Sequence, residues 1–180
     1  MSGMSEIRRG EVDDTEDCVS ILQRLPDYFS PDTHDELAAA VQKHRFWVAE
    51  TNREIVGVLV AEQRYTKSAE ITFAAIDPVH RRRGIGRRLV VMASGQLAEA
   101  GVDVIEVKTL DASAGYEPYV ATRAFWESCG FVQIDCIDPL PGWSPGNPSA
   151  IYVATSSVAS SGENASPRPG PRTTAPLDSR

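Results

Sequence analysis

Long apolar runs, aromatics and cysteines are all scarce in this 180-residue chain, and each shortage narrows what it can be. No stretch approaches the roughly 20 apolar residues of a membrane-spanning helix. Residues 1–11 carry no apolar core of a signal peptide. A cytoplasmic protein with no membrane partner is therefore expected. The three cysteines, Cys18, Cys129 and Cys136, are odd in number and lack metal or redox spacing. They fit a reducing compartment, each as a small, partly buried hydrophobe. His34, His44 and His80 stand far apart, so no metal site is expected. An excess of basic charge is also missing. The net charge of −7 argues against nucleic acid as a partner, because that binding rests on broad positive surface.

What is present concentrates between Ala69 and Gly101. Ala69 to Ile76 is apolar and extended, and Asp77-Pro78 stops it, since proline has no amide to continue a ladder. From Ile85, Leu89, Met92, Ala93, Leu97 and Ala100 recur at helical spacing, and Gly101 supplies a C-cap. Between strand and helix lies Arg81-Arg82-Arg83-Gly84-Ile85-Gly86-Arg87-Arg88, five arginines in eight residues. The glycines let the backbone approach a ligand, and the helix start behind them adds partial positive charge. This predicts a phosphate or pyrophosphate held by backbone amides. A dinucleotide fingerprint would need a third glycine where Leu89 stands, and no Gly-Lys-Ser/Thr of a P-loop occurs.

The rest of the chain reads as alternating strands and helices. Ser5–Glu11 is a first strand, and Asp13-Asp14-Thr15 caps a helix that Pro26 ends. Thr33–His44 is a second helix, capped by Asp32 or Thr33. Arg45–Thr51 and Glu54–Tyr65 form a hairpin about Asn52-Arg53, rich in β-branched residues. Asp103–Leu110 is a half-exposed strand, Val120–Ser128 a helix, and Phe131–Asp138 and Ala150–Thr155 the last strands. The fold class expected is α/β, a single domain whose mixed central sheet of about six to seven strands carries helices on both faces. Residues 156–180 hold six serines, four prolines and no aromatic, and a disordered tail is expected there, leaving 1–155 as the domain.

Arg81, Gly84 and Gly86 spell Arg-x-x-Gly-x-Gly after a strand ending Ala75-Ile76-Asp77-Pro78. This resembles the acyl-CoA-binding motif of the GNAT superfamily of N-acetyltransferases. The order of elements and the Cys129-Gly130-Phe131 turn extend the resemblance over roughly residues 5–155. It implies acetyl-CoA as co-substrate, with no metal, and a primary amine of a small molecule, peptide or protein as acceptor, attacked directly in a ternary complex. It implies that Arg81, Arg82, Arg83, Gly84, Ile85, Gly86 and Arg87 hold the pyrophosphate. The backbone of Ala75 and Ile76 would bond the pantetheine arm, and Arg88 or Arg83 would reach the 3′-phosphate. Some members of the family form sheet-edge dimers, so a homodimer is compatible.

Chemistry at the amine needs a base, and the resemblance makes Glu70 the first candidate. The alternative is a glutamate at an exposed strand end, paired with Lys67. The helix position where the family often carries an acidic tyrosine is Trp126, which cannot protonate a thiolate and reads as a wall against the cofactor arm. Tyr119 is the substitute acid, or else a packing residue. Tyr28, Phe29 and the acids Asp27, Asp32, Asp35 and Glu36 lie on the expected acceptor side, as does the loop Trp143–Pro148. An acyl-CoA-binding module impaired in catalysis is the alternative function, as the missing helix tyrosine permits.

Overall fold

In a computed structural model, residues 5–161 are described. Their strands are β1 (Glu6–Arg9), β2 (Arg45–Thr51), β3 (Glu54–Tyr65), β4 (Ser68–Ile76), β5 (Val104–Leu110), β6 (Val132–Ile137) and β7 (Ser149–Thr155). The helices are α1 (Thr15–Gln23), α2 (Pro31–Lys43), α3 (Ile85–Glu99), α4 (Pro118–Ser128) and α5 (Ser156–Ser161). The strands form one seven-stranded sheet in the order β1-β2-β3-β4-β5-β7-β6. Only β4 and β5 run parallel, with α3 as the crossover between them. This is the mixed α/β sheet that the alternation of patterns predicts.

Helices lie on both faces because the strands alternate. Phe46, Val48, Val58 and Val60 join Cys18, Ile21, Leu22, Leu37 and Val41 of α1 and α2 in one apolar cluster. Trp47, Ala49, Leu59 and Ala61 point the opposite way, into a second cluster with Ile85, Leu89, Ala93 and Leu97 of α3 and Trp126 of α4. Period-two strands thus feed two separate cores. The indole of the fully buried Trp47 donates to Gln96 Oε1 at 2.9 Å, which satisfies its one polar atom.

Local chemistry fixes the boundaries. Asn52 and Arg53 both adopt positive φ (52° and 68°), as the two-residue turn of a twisted hairpin requires. The second helix starts earlier than expected: Ser30 is its cap residue and Pro31 opens its first turn, where a missing amide costs nothing. The tail boundary also moves. Ser156–Ser161 is helical rather than disordered, because Ser156 bonds back through its amide to Asp103 O (3.0 Å) and through its hydroxyl to Val102 O (2.8 Å). Ala159 then buries itself in the α3 core. The expected disorder of residues 162–180 falls outside the described residues. No helix among the described residues is long and apolar enough to cross a membrane.

One irregularity positions the site. Ile71 pairs with Ala61 and Phe73 with Val60, so Thr72 is an extra residue in β4. Such a bulge bends its strand and increases local twist. The β4–β5 pairing ends there, at Ile71–Val107, while β4 continues along β3 to Ile76 and β5 continues along β7 to Leu110. The two parallel strands diverge.

Candidate active site

The divergence opens a cleft of about 520 Å³ in the middle of the sheet. Its floor is β4 from Ile71 to Ile76, whose edge beyond Ile71 pairs with no strand on the β5 side. Ala75 and Ile76, on this unpaired stretch, are among the lining residues. The hydroxyls of Thr72 and Thr109 are buried at the cleft without a hydrogen-bond partner. Buried polar atoms are normally paired, so these two suit a ligand's amide groups.

One end of the cleft is cationic. Gly84 caps α3 in the left-handed region (φ 75°), and a Cβ built there would meet nothing within 4 Å. No side chain caps this helix, so its first amides face outward. Gly86 is small for another reason: a Cβ there would stand 3.2 Å from the Phe125 ring. Of the arginines, Arg81, Arg82 and Arg87 line the cleft. Arg81 Nε donates to Ile76 O (3.3 Å), and its guanidinium lies 5.2 Å from the Tyr28 ring centroid. Arg87 donates to Ser128 O at 2.8 Å, tying the start of α3 to the end of α4. Arg83 and Arg88 do not line the cleft. Arg88 donates to Ser5 O on the β1 side.

The other end is aromatic. Tyr28 and Phe29 from the α1–α2 loop, Phe73 from β4 and Tyr119 from α4 present half-buried rings to the cleft. Tyr28 and Tyr119 have centroids 5.4 Å apart, and their hydroxyls bond to main-chain oxygens of Pro118 (3.0 Å) and Tyr28 (3.4 Å). Burial, with Tyr28 and Tyr116 nearby, raises the Tyr119 pKa. Both facts weaken Tyr119 as an acid and suit it as a wall. Trp126 is buried at the cleft, packed edge-on against Phe125 and Phe131.

Glu70 sits on β4 two residues before the bulge and is 8% exposed. It does not pair with Lys67, which instead reaches Asp103 (3.3 Å). Its Oε2 receives Lys108 Nζ at 2.7 Å and Arg64 Nη2 at 2.9 Å. Lys108 also pairs with Glu106 (2.8 Å) and Arg64 with Glu62 (3.5 Å), so five charges bridge β3, β4 and β5. Burial works to lower the Lys108 pKa, but its bonds to Glu106 and Glu70 outweigh that and raise it. Lys108 lines the cleft; Glu70 lies behind it.

Several expected contacts are absent from the cleft lining. Asp27, Asp32, Asp35 and Glu36 do not reach it, nor does the Trp143–Pro148 loop, which folds on Asp111 and Asp138 instead. Conversely, His80 lines it, with Nδ1 3.8 Å from Asp77 Oδ1. Sequence reasoning missed Lys108, Thr72, Thr109 and Phe73 as lining residues; the half-exposed alternation of Asp103–Leu110 was the available signal for Lys108. Among the described residues, no three His, Cys, Asp or Glu side chains gather as a metal site would need.

Comparison with known proteins follows the same lines. The model of the acetyltransferase (GNAT) domain matches residues 42–133, half of the chain. No curated protein sequence matches. Among solved structures, a GNAT-family protein from Desulfovibrio desulfuricans superposes with a TM-score of 0.75 at 18% identity, covering 85% of this chain and 99% of its own. The ribosomal-protein-S18-alanine N-acetyltransferase of Escherichia coli gives 0.67 at 20%, covering 84% and 94%. An aminoglycoside 6′-N-acetyltransferase complexed with coenzyme A gives 0.67 at 19%, covering 91% and 99%. At these identities the likeness is one of fold.

Proposed function

This chain belongs to the GNAT family of acetyltransferases and is an acyltransferase, and from that premise we propose that it transfers an acetyl group from acetyl-CoA to a primary amine in a ternary complex. The observation that carries this reading is the open cradle at Gly84, set between a cationic end and unpaired β4 main chain. The uncapped amides of α3, with Arg82 and Arg87, hold the pyrophosphate. Thr109, Thr72 and the backbone of Ala75 and Ile76 bond the pantetheine arm, and Trp126 flanks it. Acetyl-CoA supplies an activated thioester carbonyl.

The remaining chemistry belongs to the protein. Main-chain groups at the β4 end orient the carbonyl and stabilise charge as it builds on oxygen. Glu70 takes the amine proton through a water, since it stands behind Lys108 rather than at the cleft surface. A CoA thiolate leaves without Tyr119 as an obligatory acid.

Thiol release from acetyl-CoA, with mass analysis of the amine, tests the reading. Wild type releases CoA and forms an amide with at least one primary amine, and Glu70→Gln lowers kcat by about 10²-fold or more. Saturable acetyl-CoA binding with no release for any amine would instead favour the binding-module alternative.

A further inference from the structure

The acceptor's chemical class is written in what lines the cleft. Every charged side chain that lines it is cationic, and among the described residues no carboxylate does so. Toward the acceptor end the walls are Leu25, Tyr28, Phe29, Phe73 and Tyr119, with Lys108 beside them. These large side chains are largely apolar, and the four aromatic residues among them keep part of their surface uncovered, with the Arg81 guanidinium beside the ring of Tyr28 and the others left to a ligand. Open aromatic surface facing a concave site is surface that a ligand covers.

Resting on the acetyltransferase reading, we propose that the acceptor is a monoamine on an apolar, aromatic-bearing body, an arylalkylamine, and not a polycation such as a polyamine or aminoglycoside. Charge decides between them. Each ammonium of a polycation taken from water into this cleft would need its own carboxylate, and the lining has none to give. Glu70, which stands behind Lys108, is already engaged by Lys108 and Arg64. Lys108 stays protonated, held by Glu70 and Glu106, and repels a second positive charge at the wall. A single amine meets the opposite situation. Aromatic faces attract one ammonium, and an apolar pocket disfavours its charged form, which releases the proton that attack requires.

The step balances without another reactant. The neutral nitrogen bonds to the thioester carbonyl carbon, the carbon–sulfur bond breaks, and CoA leaves as a thiolate. The proton lost by nitrogen leaves through water, and the net products are an N-acetylamine and CoA thiol.

Steady-state thiol release by the full chain, with 2-phenylethylamine, spermidine and kanamycin as acceptors, tests the inference. Acetyl-CoA affinity is measured alongside by calorimetry. Phenylethylamine is expected to exceed both polycations in kcat/KM by about 10²-fold, the scale of one or two unpaired charges. Phe29→Ala and Phe73→Ala are each expected to raise its KM roughly tenfold, as loss of one aromatic contact surface does, with acetyl-CoA affinity unchanged. Faster turnover of spermidine or kanamycin overturns the inference, as does an unchanged KM in both variants. No turnover of phenylethylamine while acetyl-CoA still binds overturns it as well, and leaves the cofactor site standing. Failure of acetyl-CoA to bind at all would instead overturn the acetyltransferase reading beneath it.

Discussion

Gly10 and Tyr119 show how single side chains separate structural from chemical roles. A Cβ at Gly10 would overlap the buried Phe46 ring, a clash no rotamer change at position 10 relieves. Gly10→Ala should cost about 3 kcal/mol or more, seen as a fall in Tm of roughly 6–12 °C. Tyr119 poses a chemical question. Its hydroxyl already donates to Tyr28 O, and burial raises its pKa, so it holds its proton more tightly than a free tyrosine. Tyr119→Phe is expected to change kcat by less than about threefold, where loss of a true general acid would cost 10²-fold or more. Measuring kcat for the variant separates the two roles. Sequence could name Tyr119 as a candidate but not the carbonyl that occupies its hydroxyl, since Tyr28 lies 91 residues away. The same limit applies to Glu70. Lys108 is 38 residues distant, and only the parallel β4–β5 register brings the two together.

At the scale of elements, two termini carry testable weight. The helix α5 buries Ala159 against α3 and bonds Ser156 to residues 102 and 103. A chain ending at Thr155 should therefore lose about 2 kcal/mol or more of stability through the exposed apolar surface and the unmade hydrogen bonds. A chain ending at Ser161 should keep them, and thermal melts of both would show it. The turn of residues 112–114 leading into α4 is held by Asp111, whose carboxylate accepts from the Ser113 amide (2.9 Å), the Ser113 hydroxyl (2.7 Å) and Gln133 (2.8 Å). These bonds, the Ser113 amide first, hold its pKa down from 3.8 to about 2. A depressed carboxylate pKa gives stability present above the unfolded value and lost as pH falls toward the folded one. Stability should therefore decline from about pH 4 to pH 2, and Asp111→Ala should flatten that decline in pH-dependent melts. The elements themselves were largely legible. The β2–β3 hairpin about Asn52-Arg53 and the Gly101 end of α3 follow from local turn chemistry. The bulge at Thr72 was not, because a bulge is a mismatch between two strands and leaves no mark in either one alone.

For the whole molecule, the acidic balance misleads if taken as uniform. A net charge of −7 with an arginine loop suggests a cationic cofactor end and an acidic acceptor end. Arg81, Arg82 and Arg87 gather at the start of α3. No Asp or Glu of the described residues lines the cleft, Glu70 being held by Arg64 and Lys108, and aromatic rings line it instead. Composition counts charges, whereas the sheet decides which way each one points. The account as a whole depends on acetyl-CoA occupying the gap where β4 and β5 part. Calorimetric titration of acetyl-CoA into wild type and into Gly84→Val tests this most directly, with circular dichroism to confirm that the variant folds. The account predicts saturable binding to wild type with a dissociation constant on the order of micromolar, weakened at least tenfold when valine fills the cradle. No saturable binding to wild type, or equal affinity for both proteins, would contradict it.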